Sequence, residues 1–153
     1  VRGVLHASPF LRTVETADEI CRELETTVLL EPGLGEHRNA EWFDAEPEIL
    51  SPATLADRFE TVRLDHDPLV VPEFPETHAE AMARAGETTR QLAATTEGTV
   101  LLVGHGLTIG GVVQGLVGSA GRADAPLCGL TRIDRDGEAW ELVFSGETTH
   151  LDQ

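Results

Sequence analysis

The sequence predicts an α/β fold on a mostly parallel sheet, and three stretches carry that prediction. The first is TVLLV at 99–103, β-branched, apolar and without alternation, too short for a helix and therefore read as a strand buried on both faces. The second is the break that follows, Gly104-His105-Gly106, after which an apolar segment of helical type runs over 108–117. The third is the helical pattern at 76–95 leading into that strand, a βαβ order that makes neighbouring strands parallel.

From the start of the chain, 1–6 (VRGVLH) predicts a strand ending at Ala7-Ser8-Pro9, where Ser8 suits an N-cap and Pro9 the first helical position. Val14, Ala17, Ile20, Cys21 and Leu24 then share one helical face, which places Arg12 in the first turn. A short strand at 28–30 leads into the turn Glu31-Pro32-Gly33-Leu34-Gly35-Glu36. Residues 37–75 are the least regular part, broken by Pro47, Pro52, Pro68, Pro72 and Pro75, with Ser51-Pro52 starting a short helix through Phe59. Trp42, Phe43 and Phe59 are its aromatic candidates, for packing or for a substrate wall. In 76–95, Ala81, Met82, Ala85, Thr89 and Leu92 share a face, Gly98 follows the end, and Arg84 reads as structural. Segments 128–134 and 139–145 flank Arg135-Asp136-Gly137-Glu138, a hairpin signal expected to close the sheet with an antiparallel edge. No internal repeat or low-complexity tract divides the chain, so residues 1–153 predict one domain.

Composition narrows the function classes. The chain has 27 acidic residues against 11 basic ones, a net charge of −16, and every basic residue is Arg. Such a surface repels nucleic acid and anionic membranes, so neither is an expected partner. A lysine-free acidic chain resembles proteins of a high-salt, halophilic cytoplasm, although a GC-rich genome also exchanges Lys for Arg. Cys21 and Cys128 form no C-x-x-C pair and are expected in the core. With no signal peptide and no run of about 18 apolar residues, the expected location is cytoplasmic. The histidines show neither H-x-x-x-H nor H-E-x-x-H spacing, so neither metal nor cofactor is expected.

The chemistry is expected at His105. It stands at the carboxyl end of a central strand, the rim where open α/β sheets place ligands, and Gly104 and Gly106 are expected to let the backbone turn there. The helix that follows aims N–H groups into the same crevice, which favours anions. Neither a dinucleotide fingerprint nor a phosphate-loop motif fits, since Ile109 holds the third glycine position and no Gly-Lys-Ser/Thr occurs; no G-x-S-x-G elbow exists either. Arg12 reaches the same rim from the first helix, and a guanidinium there holds phosphate oxygens in a bidentate fork. His37, Arg38, His66 and His78 add positive potential without any motif.

SPFLRTVETA, paired with VLLVGHG downstream, resembles the histidine phosphatase superfamily, also called phosphoglycerate-mutase-like. The resemblance implies a three-layer α/β/α sandwich, with Arg12 as phosphate-binding arginine and His105 as second active-site histidine. It also places Ser8 and Gly106 among the substrate-binding positions. EPGLGE is similar to the segment that carries the proton donor in the phosphatase branch, which points to Glu36, with Glu31 and Glu41 as rivals. A carboxyl group there protonates the leaving oxygen, and burial beside other acids is expected to keep it protonated. Residues 37–75 correspond to the variable insert that covers the site, and Gly-His-Gly instead of His-Asp argues against the phytase and acid-phosphatase branch. The closing segment 146–151 resembles the family's more weakly.

The family's nucleophile, a histidine in an Arg-His-Gly motif, is absent from the sequence. Arg2-Gly3 is no degenerate copy, because only four residues separate Gly3 from Ser8 whereas a parallel crossover takes about a dozen. The chain, which opens on Val1 without a Met, is therefore expected to begin at the family's second strand and to be N-terminally incomplete. The implied function is a phosphomonoester hydrolase acting through a phosphohistidine, with the nucleophile-bearing strand outside this chain. The alternatives are a non-catalytic phosphate-binding or interaction module, and a phosphoglycerate mutase. The expected partners are a small phosphorylated substrate or phosphate, with a homodimer as one candidate assembly.

Overall fold

The computed structural model describes residues 3–152; the part of the first expected strand at positions 1 and 2 lies outside the described residues. Four short strands, β1 (Gly3–Ala7), β2 (Val28–Leu30), β3 (Val62–Arg63) and β4 (Thr99–Val103), form one parallel sheet in the order β3-β2-β1-β4. Helices α1 (Leu11–Leu24), α2 (Pro52–Arg58), α3 (His78–Thr95) and α4 (Gly106–Val117) connect and follow them. The expected mixed α/β architecture with a mostly parallel sheet is what the chain adopts.

The order of strands creates the site. From β1 the chain steps outward to β2 and β3, then returns through α3 to lay β4 on the other side of β1. A crevice opens where strand order reverses, at the carboxyl ends of β1 and β4. Register makes those ends level: Ala7 stands beside both Leu30 and Val103. Ser8, Glu31 and Gly104 therefore leave the sheet together, with Ser8 N–H bonded to Val103 O at 2.9 Å and Glu31 N–H to Ala7 O at 2.8 Å.

Period-two alternation explains the core. Leu5, Ala7, Val28, Leu30 and Val62 point to one face and meet Val14, Ala17 and Cys21 of α1 and Leu55 of α2, all buried. Helices α3 and α4 pack on each other as the second helical layer, and glycines let their backbones touch. A Cβ on Gly111 would lie 2.6 Å from Met82 O, and one on Gly86 3.0 Å from the Cα of Gly115. Capping follows the sequence at two helices: the Ser51 hydroxyl accepts from Thr54 N–H, and Thr77 with Glu80 forms a capping box at the start of α3.

Several expectations are corrected. Ser8 does not cap α1; the helix starts at Leu11 with Phe10 at the cap position, because the Ser8 hydroxyl is drawn to His105 instead. β4 is not buried on both faces: it is the last strand of its sheet among the described residues and is half-exposed, since nothing described pairs with its outer edge. The hairpin of β5 (Leu130–Asp136) and β6 (Ala139–Glu147) does form, but as a separate two-stranded sheet that does not close the main one. Cys21 is buried as expected, while Cys128 is exposed. Part of 37–75 does not cover the site, because β3 extends the sheet and Leu55 of α2 packs into its core. No helix among the described residues is long and apolar enough to cross a membrane.

Candidate active site

Four side chains from distant parts of the chain meet at the switch point. His105, which precedes α4, places Nε2 2.8 Å from the Ser8 hydroxyl and Nδ1 3.1 Å from the Arg12 guanidinium. The same Arg12 nitrogen lies 3.1 Å from Glu36 Oε2, which itself stands 3.4 Å from His105 Nδ1. A guanidinium only donates, so Nδ1 accepts and the ring proton sits on Nε2, donated to Ser8. Phe10 supports both partners, edge-on to the His105 ring at 5.1 Å and beneath the Arg12 guanidinium at 5.2 Å.

Local sequence explains how His105 is presented. Its backbone N–H donates to the Thr108 hydroxyl at 3.0 Å, which in turn donates to Leu34 O at 2.9 Å, tying the start of α4 to the loop after β2. Thr108 closes tightly over residue 104, where a Cβ would lie 2.8 Å from its side chain, so Gly104 is needed for this close approach. Neither Gly104 nor Gly106 has a positive φ, which corrects the expectation that they serve a sharp turn. At Gly106 an added Cβ would meet nothing nearer than Ala125 at 3.9 Å.

Glu36 is held from behind by a clamp that the sequence did not announce. Arg84 of α3 donates to Gly33 O at 2.9 Å, Gly35 O at 3.1 Å and Glu36 O at 3.3 Å, while Glu76 holds the same guanidinium through both carboxylate oxygens. Glu76 also accepts from Arg38 N–H at 3.1 Å. Arg84 is thus structural, as read, and its structural task is to fix the loop that carries Glu36. The only sequence signal was a buried-face arginine in a helix.

The surroundings of Glu36 differ from the expected ones. Its Oε1 accepts from His37 N–H at 2.9 Å and its Oε2 from Arg12, beside His105 Nδ1, so its described contacts are nitrogen atoms, not other acids. The rivals separate clearly. Glu31 is fully buried and accepts from His66 Nε2 at 2.7 Å and from the backbone N–H groups of Gly33, Leu69 and Val70, a loop anchor away from Arg12. Glu41 is exposed, its N–H bonded to Asn39. His66 belongs to the Glu31 anchor, beside the His6 ring at 4.8 Å, whereas His37 and Arg38 flank Glu36.

Electrostatics match the geometry. Burial holds the His105 imidazole down at about 4; Glu36 opposes this, and the positive charges of Arg12, Arg84 and Arg38 add to it. Three guanidiniums therefore act on one imidazole inside a chain of net charge −16. Each guanidinium is also paired with a carboxylate: Arg12 with Glu36, Arg84 with Glu76 and Arg38 with Glu46.

Fold and site together define an α/β protein with a cluster of Arg, His and Glu side chains at its topological switch point. Residues 2–148 match the model of the histidine phosphatase superfamily (branch 1), and the chain belongs to that superfamily. Among solved structures it is similar to the ecdysone phosphate phosphatase of Bombyx mori in complex with tungstate, with a TM-score of 0.74 and 23% identity. The likeness covers 92% of this chain and 61% of that one, so the chain spans less than two thirds of that protein. No curated protein sequence gives a significant match.

Proposed function

We propose that the chain carries the phosphate-stabilising part of a phosphomonoester hydrolase that works through a phosphohistidine. Arg12 and His105 hold the phosphoryl oxygens, with Ser8 fixing the imidazole; Gly106, at the first turn of α4, lets the anion approach, and Glu36 is the acid. The observation that carries this reading is the Arg12–Glu36–His105 contact set at the mouth of the crevice. An incoming phosphate dianion competes with Glu36 for Arg12, and its negative charge beside Nδ1 favours a protonated His105 that can donate to it. Released from the guanidinium, Glu36 is free to take a proton and pass it to the leaving oxygen.

His105 is the stabiliser in this reading, because each of its nitrogens already has a partner, Ser8 on one side and Arg12 with Glu36 on the other. The attacking imidazole belongs to a strand outside residues 1–153 that pairs with the open edge of β4. That placement is supported by the half-exposed β4, the last strand of its sheet among the described residues. The supplied nitrogen attacks phosphorus, the ester P–O bond breaks as Glu36 protonates the alcohol, and water then cleaves the P–N bond and returns a proton to Glu36. The tungstate held by the Bombyx mori protein, a tetrahedral oxyanion like phosphate, accords with the same class of ligand.

The test is hydrolysis of p-nitrophenyl phosphate at high salt by this chain and by a version extended upstream in its gene. Turnover by the extended version alone is expected. No turnover by either, with tungstate still bound, would leave a phosphate-binding module without chemistry.

A further inference from the structure

Two clefts flank the Arg12–Glu36–His105 cluster, and they differ in chemistry. One, of about 590 Å³, is lined by Arg12, Glu15, Glu48 and Arg58 together with apolar Ile49 and Leu50. The other, of about 490 Å³, is lined by Trp42, His37, Met82, Leu107, Ala123 and Ala125 among others. Its lining contains no Asp, Glu or Arg, in a chain with 27 acidic residues. Its volume falls in the range of about 300–1,000 Å³ found for small-molecule sites.

The position of Glu36 decides which cleft receives the alcohol. A group that protonates the leaving oxygen lies at that oxygen, so the alcohol extends from the acid's side of the phosphate. Glu36 Oε1 is held by the N–H of His37 at 2.9 Å, and the His37 ring is part of the uncharged cleft. Gly106, next to His105, lines the same cleft. The cleft is thus tied to the phosphate site by His37 and Gly106, the chain neighbours of Glu36 and His105.

Its wall is preformed. Trp42 is 61% exposed, a large apolar ring left in water, yet it stands edge-on to His37 at 5.3 Å. His37 is itself buried, with Nε2 donating to Glu76 O at 3.0 Å. An exposed indole fixed against a pinned imidazole, in a cleft also lined by three alanines, suits a flat or bulky apolar group.

We infer that the site takes phosphomonoesters of bulky, uncharged aromatic or alicyclic alcohols, seated between Trp42 and the 120–125 loop. This names the substrate class for the phosphate-site reading above and rests on it. Alcohols bearing a carboxylate find no arginine in this cleft and are disfavoured by the acidic field around it.

Binding, not turnover, tests the inference, so the result does not depend on the attacking imidazole. Titration calorimetry of the chain would compare tungstate, methylphosphonate, 1-naphthylmethylphosphonate and 3-phosphonopropionate. The naphthyl compound is expected to bind at least about 10-fold tighter than methylphosphonate, as burial of an aromatic ring implies. The carboxylate compound should gain nothing. Trp42→Ala and Ala123→Phe, one removing the wall and one filling the cleft, should each erase the naphthyl advantage while tungstate and methylphosphonate bind as before. Equal affinity for the naphthyl and methyl compounds, with tungstate still bound, would overturn the inference and leave the phosphate site intact. An advantage that survives both variants would also overturn it, by placing the ring elsewhere. Absence of binding by tungstate and every phosphonate would sink the phosphate-site reading, and this inference with it.

Discussion

The Nε2 of His105 lies 2.8 Å from the hydroxyl of Ser8, a residue 97 positions earlier in the chain. This bond joins the loop after β4 to the loop after β1 across the switch point, and both groups are buried. It fixes the ring so that Nδ1 faces Arg12 and Glu36.

Ser8→Ala removes the acceptor and leaves a buried imidazole N–H without a partner. The expected loss is about 1–3 kcal/mol of stability, read from the urea midpoint, with weaker tungstate binding. An unchanged midpoint would mean that the bond contributes nothing to the fold.

Arg12 and His66 separate binding from stability. The Arg12 side chain is 61% exposed, so Arg12→Ala should shift stability by no more than about 0.5 kcal/mol while abolishing tungstate binding. His105→Ala should abolish it too. His66→Ala strips a partner from fully buried Glu31 and should cost about 1–3 kcal/mol, yet the folded protein should bind tungstate as the parent does. Equal loss of binding in His66→Ala would put the anion site elsewhere.

Backbone contact between α3 and α4 predicts an intolerant glycine. A Cβ on Gly111 meets Met82 O at 2.6 Å, an atom that cannot rotate away, so Gly111→Ala should push α4 outward and destabilise by about 1–3 kcal/mol. Because His105 precedes that helix, tungstate affinity should fall as well. Gly118→Ala is the contrast: its Cβ enters open space and meets only the strain of a φ of +93°, so affinity should persist.

Acid should weaken the fold through two histidines. Burial holds both His6 and His105 at about 4, below their ordinary 6.5, so the unfolded chain binds protons between these values that the folded chain refuses. Their stabilising contribution is complete above about pH 6.5 and is lost as pH falls through 4. His6 Nδ1 is buried without a hydrogen-bond partner, so His6→Leu should flatten the fall of the denaturation midpoint across this window. A slope identical to that of the parent would show that His6 is not among the groups responsible.

Much of this was legible in local pattern. The run TVLLV before Gly-His-Gly, and SPFLRTVETA after the first strand, located strand ends and helix starts to within a few residues, because alternation and helical period depend on near neighbours. Arg12, Glu36, Ser8 and His105 were all named from motif positions, and the structure brings all four together. The Glu76–Arg84 clamp was not legible. Its function depends on carbonyl groups some 50 positions away, and carbonyls carry no residue identity. Ser8 misled for a related reason: a hydroxyl with N-cap chemistry was claimed by a buried imidazole that local reading does not see.

By itself, then, the sequence determined the fold class, the strand–helix order and the identity of the four side chains that meet at the switch point, since these follow from side-chain chemistry and short-range periodicity. Only the tertiary structure decided strand neighbours: that β4 lies beside β1 as the last strand of the sheet among the described residues and stays half-exposed, and that the hairpin forms its own sheet. Edge and centre differ by what lies across a hydrogen-bonded ladder, and that is set by pairing between strands far apart in the chain. The cleft beside Trp42 was decided at the same level, because its walls come from the loop after β2, α3 and the loop after α4, and a void belongs to none of them alone.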